Sequence, residues 1–160
     1  MSELFFGVDV SKPSFEWQET NRPKMKSEKV GKVKGLKERN ENDELLMLCH
    51  WIRGEYPEVM FWCDMSGVKL PIGLAVKVSQ MKSNRAIPDL FIAHPAQGKH
   101  GLFIEYKKTG VGVKRKNGNW MSDHVKEQAE VIEHLRTFGY GACFCAGLEE
   151  AKKIIALYLR

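Results

Sequence analysis

The chain has 160 residues, 43% of them apolar, and a formal charge of +5, enough to bury one core in a single domain. No run of about 18 apolar residues exists, so no membrane-spanning helix is expected. The start, Met1-Ser2-Glu3-Leu4-Phe5-Phe6, lacks the charged-then-apolar layout of a secretory leader. Cys49, Cys63, Cys143 and Cys145 include no C-x-x-C pair and no histidine at zinc-finger spacing, so structural zinc is not expected and a reducing cytoplasm fits.

Residues 1–38 hold Pro13, Pro23 and scattered lysines (Lys24, Lys26, Lys29, Lys32, Lys34, Lys37). They read as an N-terminal arm or extension, with a short strand at 4–10 and basic residues that either touch phosphate or are simply solvated. The folded domain is expected over 39–160.

A helix is expected to start between Asn40 and Asp43, residue types that favour N-caps. Leu45, Leu48 and Ile52 form one stripe at helical spacing, and Tyr56-Pro57 ends it. Glu41 extends that stripe by one turn and is expected to face inward, with Glu44 near the stripe's edge. An inward acid in a first turn is either stabilised by the helix dipole alone or looks into an active site. Residues 59–64 read as a strand, 65–71 as turn and loop, and 73–81 as a short helix.

Two apolar runs follow, Ile87-Pro88-Asp89-Leu90-Phe91-Ile92 and Leu102-Phe103-Ile104-Glu105-Tyr106-Lys107. Both read as strands. Alternation puts Glu105 and Lys107 on one side and Ile104 and Tyr106 on the other. With Asp89 from the neighbouring strand, two carboxylates and an ammonium converge, a set able to bind a hard divalent cation beside a water. The competing account is a pair of strand-edge acids, with Glu105 and Lys107 a surface pair worth about 0.2–1 kcal/mol. Against it, both runs are too apolar for a solvated face, and burying two acids and a lysine is costly.

Between Lys99 and Lys116 stand six basic residues (Lys99, Lys107, Lys108, Lys114, Arg115, Lys116) against Glu105 alone. This basic stretch beside a carboxylate pair suits a polyanion brought to a metal. Asn117-Gly118 is a hairpin signal that puts Lys114-Arg115-Lys116 at the tip of an excursion just after Lys107. Next, Ser122 or Asp123 can cap a helix running to about Phe138 and stopped at Gly139. Gln128 falls mid-stripe between Val125 and Ile132 and needs partners, because an unpaired buried amide costs about 1–3 kcal/mol. It is either a satisfied core glutamine or a polar group reaching over the sheet. A strand at 142–146 and a helix at 148–159 complete an α/β order, and the 102–107 strand, helix and 142–146 strand have the form of a right-handed β-α-β crossover.

Taken together, Glu41 opening a helix that continues to Trp51-Ile52-Arg53 and Tyr56-Pro57, Pro88-Asp89, Glu105-Tyr106-Lys107, Gln128, Leu135 and Gly139-Tyr140 resemble the virus-type replication-repair nuclease (VRR-NUC) domain. That domain is a branch of the PD-(D/E)xK phosphodiesterases. The resemblance runs from Glu41 to about Leu159. It implies a restriction-endonuclease-like αβββαβ core with a mixed central sheet flanked by helices. It also implies metal-dependent hydrolysis of DNA, by a homodimer selective for branched DNA such as four-way junctions, in the cytoplasm of a bacterial or phage-infected cell. Cleavage of linear, flap or single-stranded DNA, and a module that binds without cutting, are the alternatives. No membrane partner is implied.

Residue by residue, the resemblance implies that Asp89, Glu105 and the backbone carbonyl of Tyr106 hold Mg²⁺ or Mn²⁺, hard ions that favour oxygen ligands. Glu41 would hold a coordinated water or a second ion. Lys107 would orient the attacking water, and Gln128 would position the lysine or a phosphate. Lys108, Lys114, Arg115 and Lys116 would bind the nucleic-acid backbone. Departures from the family pattern are Leu45 where a glutamine is common and Val125 where a serine is common. The loop before Val125 is also longer and more basic, and Ser66-Gly67 replaces an asparagine-glycine turn.

Overall fold

A computed structural model of the protein describes residues 40–65 and 68–160. The 1–38 arm with its expected 4–10 strand, and the Ser66-Gly67 turn, lie outside the described residues. The first helix, α1, spans Glu41–Glu55 and starts as the sequence dictates. The Asn40 side chain accepts a hydrogen bond from the Asp43 backbone N–H at 2.8 Å, and the Asp43 side chain accepts one in return from the Asn40 N–H. Glu41, Asp43 and Glu44 crowd the first turn and Arg53 sits in the last, the charge order that suits the helix dipole. Leu48, Cys49 and Ile52 are buried.

Strands β1 (Phe61–Cys63), β2 (Leu90–Ile92), β3 (Leu102–Lys107) and β4 (Gly141–Ala146) form one sheet in the order β1-β2-β3-β4. The first two pairings are antiparallel and β3–β4 is parallel, the mixed sheet expected. Helix α2 covers Ile72–Gln80, α3 covers Asp123–Thr137 and joins β3 to β4, and α4 covers Leu148–Tyr158. Two strands are shorter than the sequence suggests. β1 begins two residues later than position 59, and Pro88-Asp89 precedes β2 rather than lying in it. Proline has no N–H to give to a ladder, although the Asp89 carbonyl still accepts from the Asp64 N–H at 2.7 Å.

Strand alternation sorts the sheet into two chemistries. Leu102, Ile104 and Tyr106 of β3 point into the core, with Leu48 and Ile52 of α1 and Ala151, Ile154, Ile155 and Tyr158 of α4. Phe103, Glu105 and Lys107 point to the opposite face, where α3 lies over β4. That helix is anchored by Arg136 Nε donating to the Ala142 carbonyl at 2.9 Å. Ser122 caps α3 by accepting from the Val125 N–H at 3.2 Å. Gly139 stops the chain's helical course with φ +80°, a conformation that favours glycine. At Gly101 a Cβ would fall 2.7 Å from the Phe91 ring, so the residue before β3 must be small for that aromatic to pack.

Helix α2 buries none of its residues, and no helix among the described residues is long and apolar enough to cross a membrane. The excursion after β3 is a small hairpin. Lys114 bridges to Trp120, and Arg115 N–H donates to the Asn119 carbonyl at 2.7 Å around Asn117-Gly118. The link between α1 and β1 was not legible in the sequence: Cys49 Sγ of α1 and Cys63 Sγ of β1 lie 3.3 Å apart and share a hydrogen bond.

Candidate active site

Four of the five residues singled out at the sequence level meet on the α3 side of the sheet. Lys107 Nζ donates to Glu105 Oε1 at 2.8 Å and to Gln128 Oε1 at 2.9 Å. Gln128 Nε2 donates to the same Glu105 Oε1 at 2.6 Å. The amide thus closes a triangle, meeting an anion with its donor and a cation with its acceptor. The mid-stripe position of Gln128 on α3 is explained, because the residue is buried with both ends of its amide satisfied.

Asp89 approaches from the start of β2. Its Oδ2 accepts from the Tyr106 backbone N–H at 2.9 Å, which fixes the carboxylate against β3. Its side chain is within hydrogen-bonding reach of the Glu105 carboxyl. Burial first, and then the charge of Asp89, push the Glu105 carboxyl up to about 8. Burial also raises Asp89, against the lowering effect of the Tyr106 N–H and of Lys107. The two acids share too little solvent to ionise fully side by side.

Glu41 differs from expectation. As the first residue of α1 it is exposed, and its Oε1 accepts from the Lys108 backbone N–H at 2.8 Å. Its charge still reaches Asp89, whose carboxyl it raises. A side chain in a helix's opening turn reaches past the helix end, so the stripe's phase overstates its burial. The inward acid of α1 is Glu44, which accepts from the Tyr106 hydroxyl at 2.7 Å.

The basic residues divide. Lys108 is half-buried at the end of β3, while Lys114, Arg115 and Lys116 are exposed on the hairpin. Lys114 Nζ stands 4.9 Å from the Trp120 ring centre, and an Arg115 N–H donates to the Met121 carbonyl at 3.1 Å. Two members of the basic tip are therefore already oriented by their own loop.

The pairing registers Cys63 with Leu90 and Leu90 with Ile104. One step further along, Asp64, Asp89 and Glu105 fall in a single row on one face. Sequence reasoning did not pick out Asp64. Its carboxylate is held by Lys82 Nζ at 2.5 and 2.6 Å. Only its place at the end of the 59–64 strand expectation hinted at it, and the hint has meaning only once the β1–β2 register is known.

Does this set suit a hard cation? Glu105 Oε2 is buried and accepts no hydrogen bond, an arrangement that costs desolvation energy unless a cation, a water or a proton shared with Asp89 meets it. Asp89, Glu105 and the Tyr106 carbonyl offer only oxygen, the ligand type Mg²⁺ and Mn²⁺ favour. Among the described residues no three His, Cys, Asp or Glu side chains gather at metal-holding spacing. Two carboxylates with solvent ligands are what Mg²⁺ usually accepts, since it keeps several waters. The residues fit.

No protein-family model matches the sequence, and no curated protein does. Among solved structures, the folded chain is similar to one described as a VRR_NUC domain protein. The match covers 78% of this chain and 91% of that one, at 24% identity and a TM-score of 0.53. The fold is that of a VRR-NUC domain. In this chain Asp89 stands immediately before β2, and Glu105 and Lys107 lie on β3.

Proposed function

We propose that the protein is a Mg²⁺- or Mn²⁺-dependent endonuclease that hydrolyses DNA phosphodiesters, selective for branched DNA and acting as a homodimer. The observation that carries this reading is the buried, partnerless Glu105 Oε2 beside Asp89, with the other oxygen of the same carboxylate bound by Lys107 and Gln128. A carboxylate held so firmly on one side and left unmet on the other is arranged for a cation.

Asp89, Glu105 and the Tyr106 carbonyl would hold the ion, and Glu41 stands at the same end of β3 to hold a water or a second ion. Bound there, the metal would polarise the phosphoryl oxygen and acidify a water. The chain's own contribution is orientation and charge. Lys107, fixed by Glu105 and Gln128, presents an ammonium that aligns the attacking water and offsets charge growing on the phosphorus. Gln128 holds that ammonium in place through α3. The Tyr106 N–H keeps Asp89 from turning away. Lys108 and the Lys114-Arg115-Lys116 hairpin supply backbone phosphate contacts without sequence preference.

Two-site action on a branched duplex needs two copies. Helix α2 supports this, because Ile72 (86% exposed), Leu74 and Val76, with Met81 at its C-terminal end, are exposed apolar side chains among the described residues. The deciding experiment is cleavage of four-way junctions, flaps, linear duplex and single strands, with Mg²⁺, Mn²⁺ or EDTA, by the wild type and Lys107→Ala. Metal-dependent cutting of junctions in preference to linear duplex, abolished in the variant, is the expected result. A variant that cuts at the wild-type rate overturns the assignment.

A further inference from the structure

On the face that carries Asp89, Glu105 and Lys107, the next row along the strands is aromatic. Trp62, Phe91 and Phe103 stand directly opposite one another across β1, β2 and β3. Their ring centres are 4.6 and 4.2 Å apart, and Tyr140 closes the far end, 5.3 Å from Phe103. Two residues separate this row from the carboxylate row, about 6.8 Å along a strand. The ladder ends in the open, because Trp62 is 55% exposed on β1 with its indole edge-on to Phe91 at 63°.

Beside Trp62 on the same face, Asp64 holds Lys82 Nζ through both carboxylate oxygens. An ammonium has three donors, so this pairing leaves one for an outside acceptor. The reactive row therefore has an acid–lysine pair at each end, Glu105–Lys107 on β3 and Asp64, just after β1, with Lys82 from the segment after α2, and Asp89 lies between them. Only the β3 pair is part of the reaction described above.

We propose that Trp62 and Lys82 form a subsite for one unpaired nucleotide of the substrate strand, the indole stacking on its base and the ammonium binding its phosphate. A stacking surface beside a fixed cation is how single-stranded nucleic acid is held without sequence preference. Continuity with the carboxylate row sets the occupant: a strand whose phosphate lies at Asp89 and Glu105 runs on over the same open sheet face. Phe91 and Phe103 back the indole and hold it in place. The subsite rests on the nuclease reading and adds to it a requirement that the DNA be locally unpaired next to the cut.

The test uses the full chain in EDTA, where DNA is bound but not cut, with a single-stranded oligodeoxynucleotide and the same backbone made of abasic nucleotides. Trp62→Ala is expected to weaken binding of the intact strand about tenfold and to leave the abasic strand unaffected, while Trp62→Phe restores most of the affinity. Lys82→Gln is expected to weaken both strands and to lower the slope of log affinity against log salt by about 0.7. Equal weakening of both strands by Trp62→Ala, or an unchanged slope in Lys82→Gln, overturns the subsite even where the wild type binds and cuts. Loss of a dimer in Trp62→Ala by light scattering, with DNA binding intact, assigns the indole to a second copy of the chain and also overturns it. Failure of the nuclease reading is separate, showing as a wild type that binds neither strand and cuts nothing with metal.

Discussion

Gln128 and Glu105 are joined by a 2.6 Å hydrogen bond between α3 and β3, and the glutamine's other atom takes Lys107 at 2.9 Å. A neutral side chain thus grips both members of the direct Glu105–Lys107 ion pair. Gln128→Ala removes both hydrogen bonds and frees the ammonium to move. Cleavage is expected to fall about 10²-fold, the usual consequence of a displacement near 1 Å at a reacting centre, with DNA affinity unchanged. Single-turnover cleavage alongside a binding titration checks this. Weaker affinity with cleavage of bound DNA intact would instead make Gln128 a residue that touches DNA.

Lys107→Ala leaves Glu105 buried beside Asp89 with Gln128 as its remaining side-chain donor. Breaking a buried ion pair destabilises by about 3–5 kcal/mol in general, but here Glu105 can take up a proton, so the fold is expected to survive. Cleavage is expected to fall by about 10²–10³. Circular dichroism melts confirm folding, and Mn²⁺ titration calorimetry is expected to show the ion still bound. Loss of metal binding would move Lys107 from the reaction to the upkeep of the ligand set.

The raised Glu105 carboxyl sets a pH dependence with a definite sign. Its value climbs from 4.5 to about 8 because of burial and the neighbouring Asp89, while Lys107 and Gln128 face the same oxygen. Between those limits the folded protein holds a proton that the unfolded chain releases, so stability falls as pH rises and levels off above about 8. In EDTA, the melting temperature is expected to be higher at pH 5.5 than at pH 8.5. Glu105→Gln is expected to narrow that difference. Mg²⁺ is expected to raise the wild-type melting temperature more at pH 8.5, where no proton competes with it. Equal Mg²⁺ shifts at both pH values would mean that the ion does not bind these carboxylates.

Whether a feature is legible in the sequence depends on whether it is local. The cap at Asn40, the stop at Gly139, the Asn117-Gly118 hairpin and the strand alternation of 102–107 all depend on neighbours in the chain, and each is found where expected. Gln128 was legible because a polar residue inside an apolar helical stripe demands partners. Asp64 and Lys82 were not, because they join the site only through the register of β1 against β2, with α2 between the two strands. The Cys49–Cys63 and Glu44–Tyr106 hydrogen bonds have the same cause. Glu41 was misjudged in burial because helical phase is a poor guide within the opening turn. Branched substrate and dimer have no residue pattern of their own in the chain and came from family resemblance, whereas the metal was read from the convergence of Asp89, Glu105 and Lys107.

The hairpin tip gives a prediction whose size the structure limits. Replacing Lys114, Arg115 and Lys116 with alanine removes three charges, but Lys114 lies over Trp120 and Arg115 donates to Met121 within the loop. These interactions orient the side chains without neutralising them, so they still attract phosphate. The salt slope on duplex DNA is expected to fall by about 0.9 for each phosphate that is no longer neutralised, and cleavage of bound DNA to stay unchanged. An unchanged slope would return the tip to a solvated loop.

Helix α2 supplies the last test. Ile72, Val76 and Met81 are exposed and apolar, and α2 buries none of its residues, so charges there carry little folding cost. Ile72→Asp with Val76→Asp is expected to leave the melting temperature nearly unchanged and to convert a dimer to a monomer by light scattering. Junction cleavage is then expected to drop from paired cuts to single, uncoordinated nicks, because one copy brings one Asp89–Glu105–Lys107 set to a branch point with two strands to cut. A double variant that remains dimeric would place the interface elsewhere on the chain. A wild type that is monomeric yet makes paired cuts would remove the need for one.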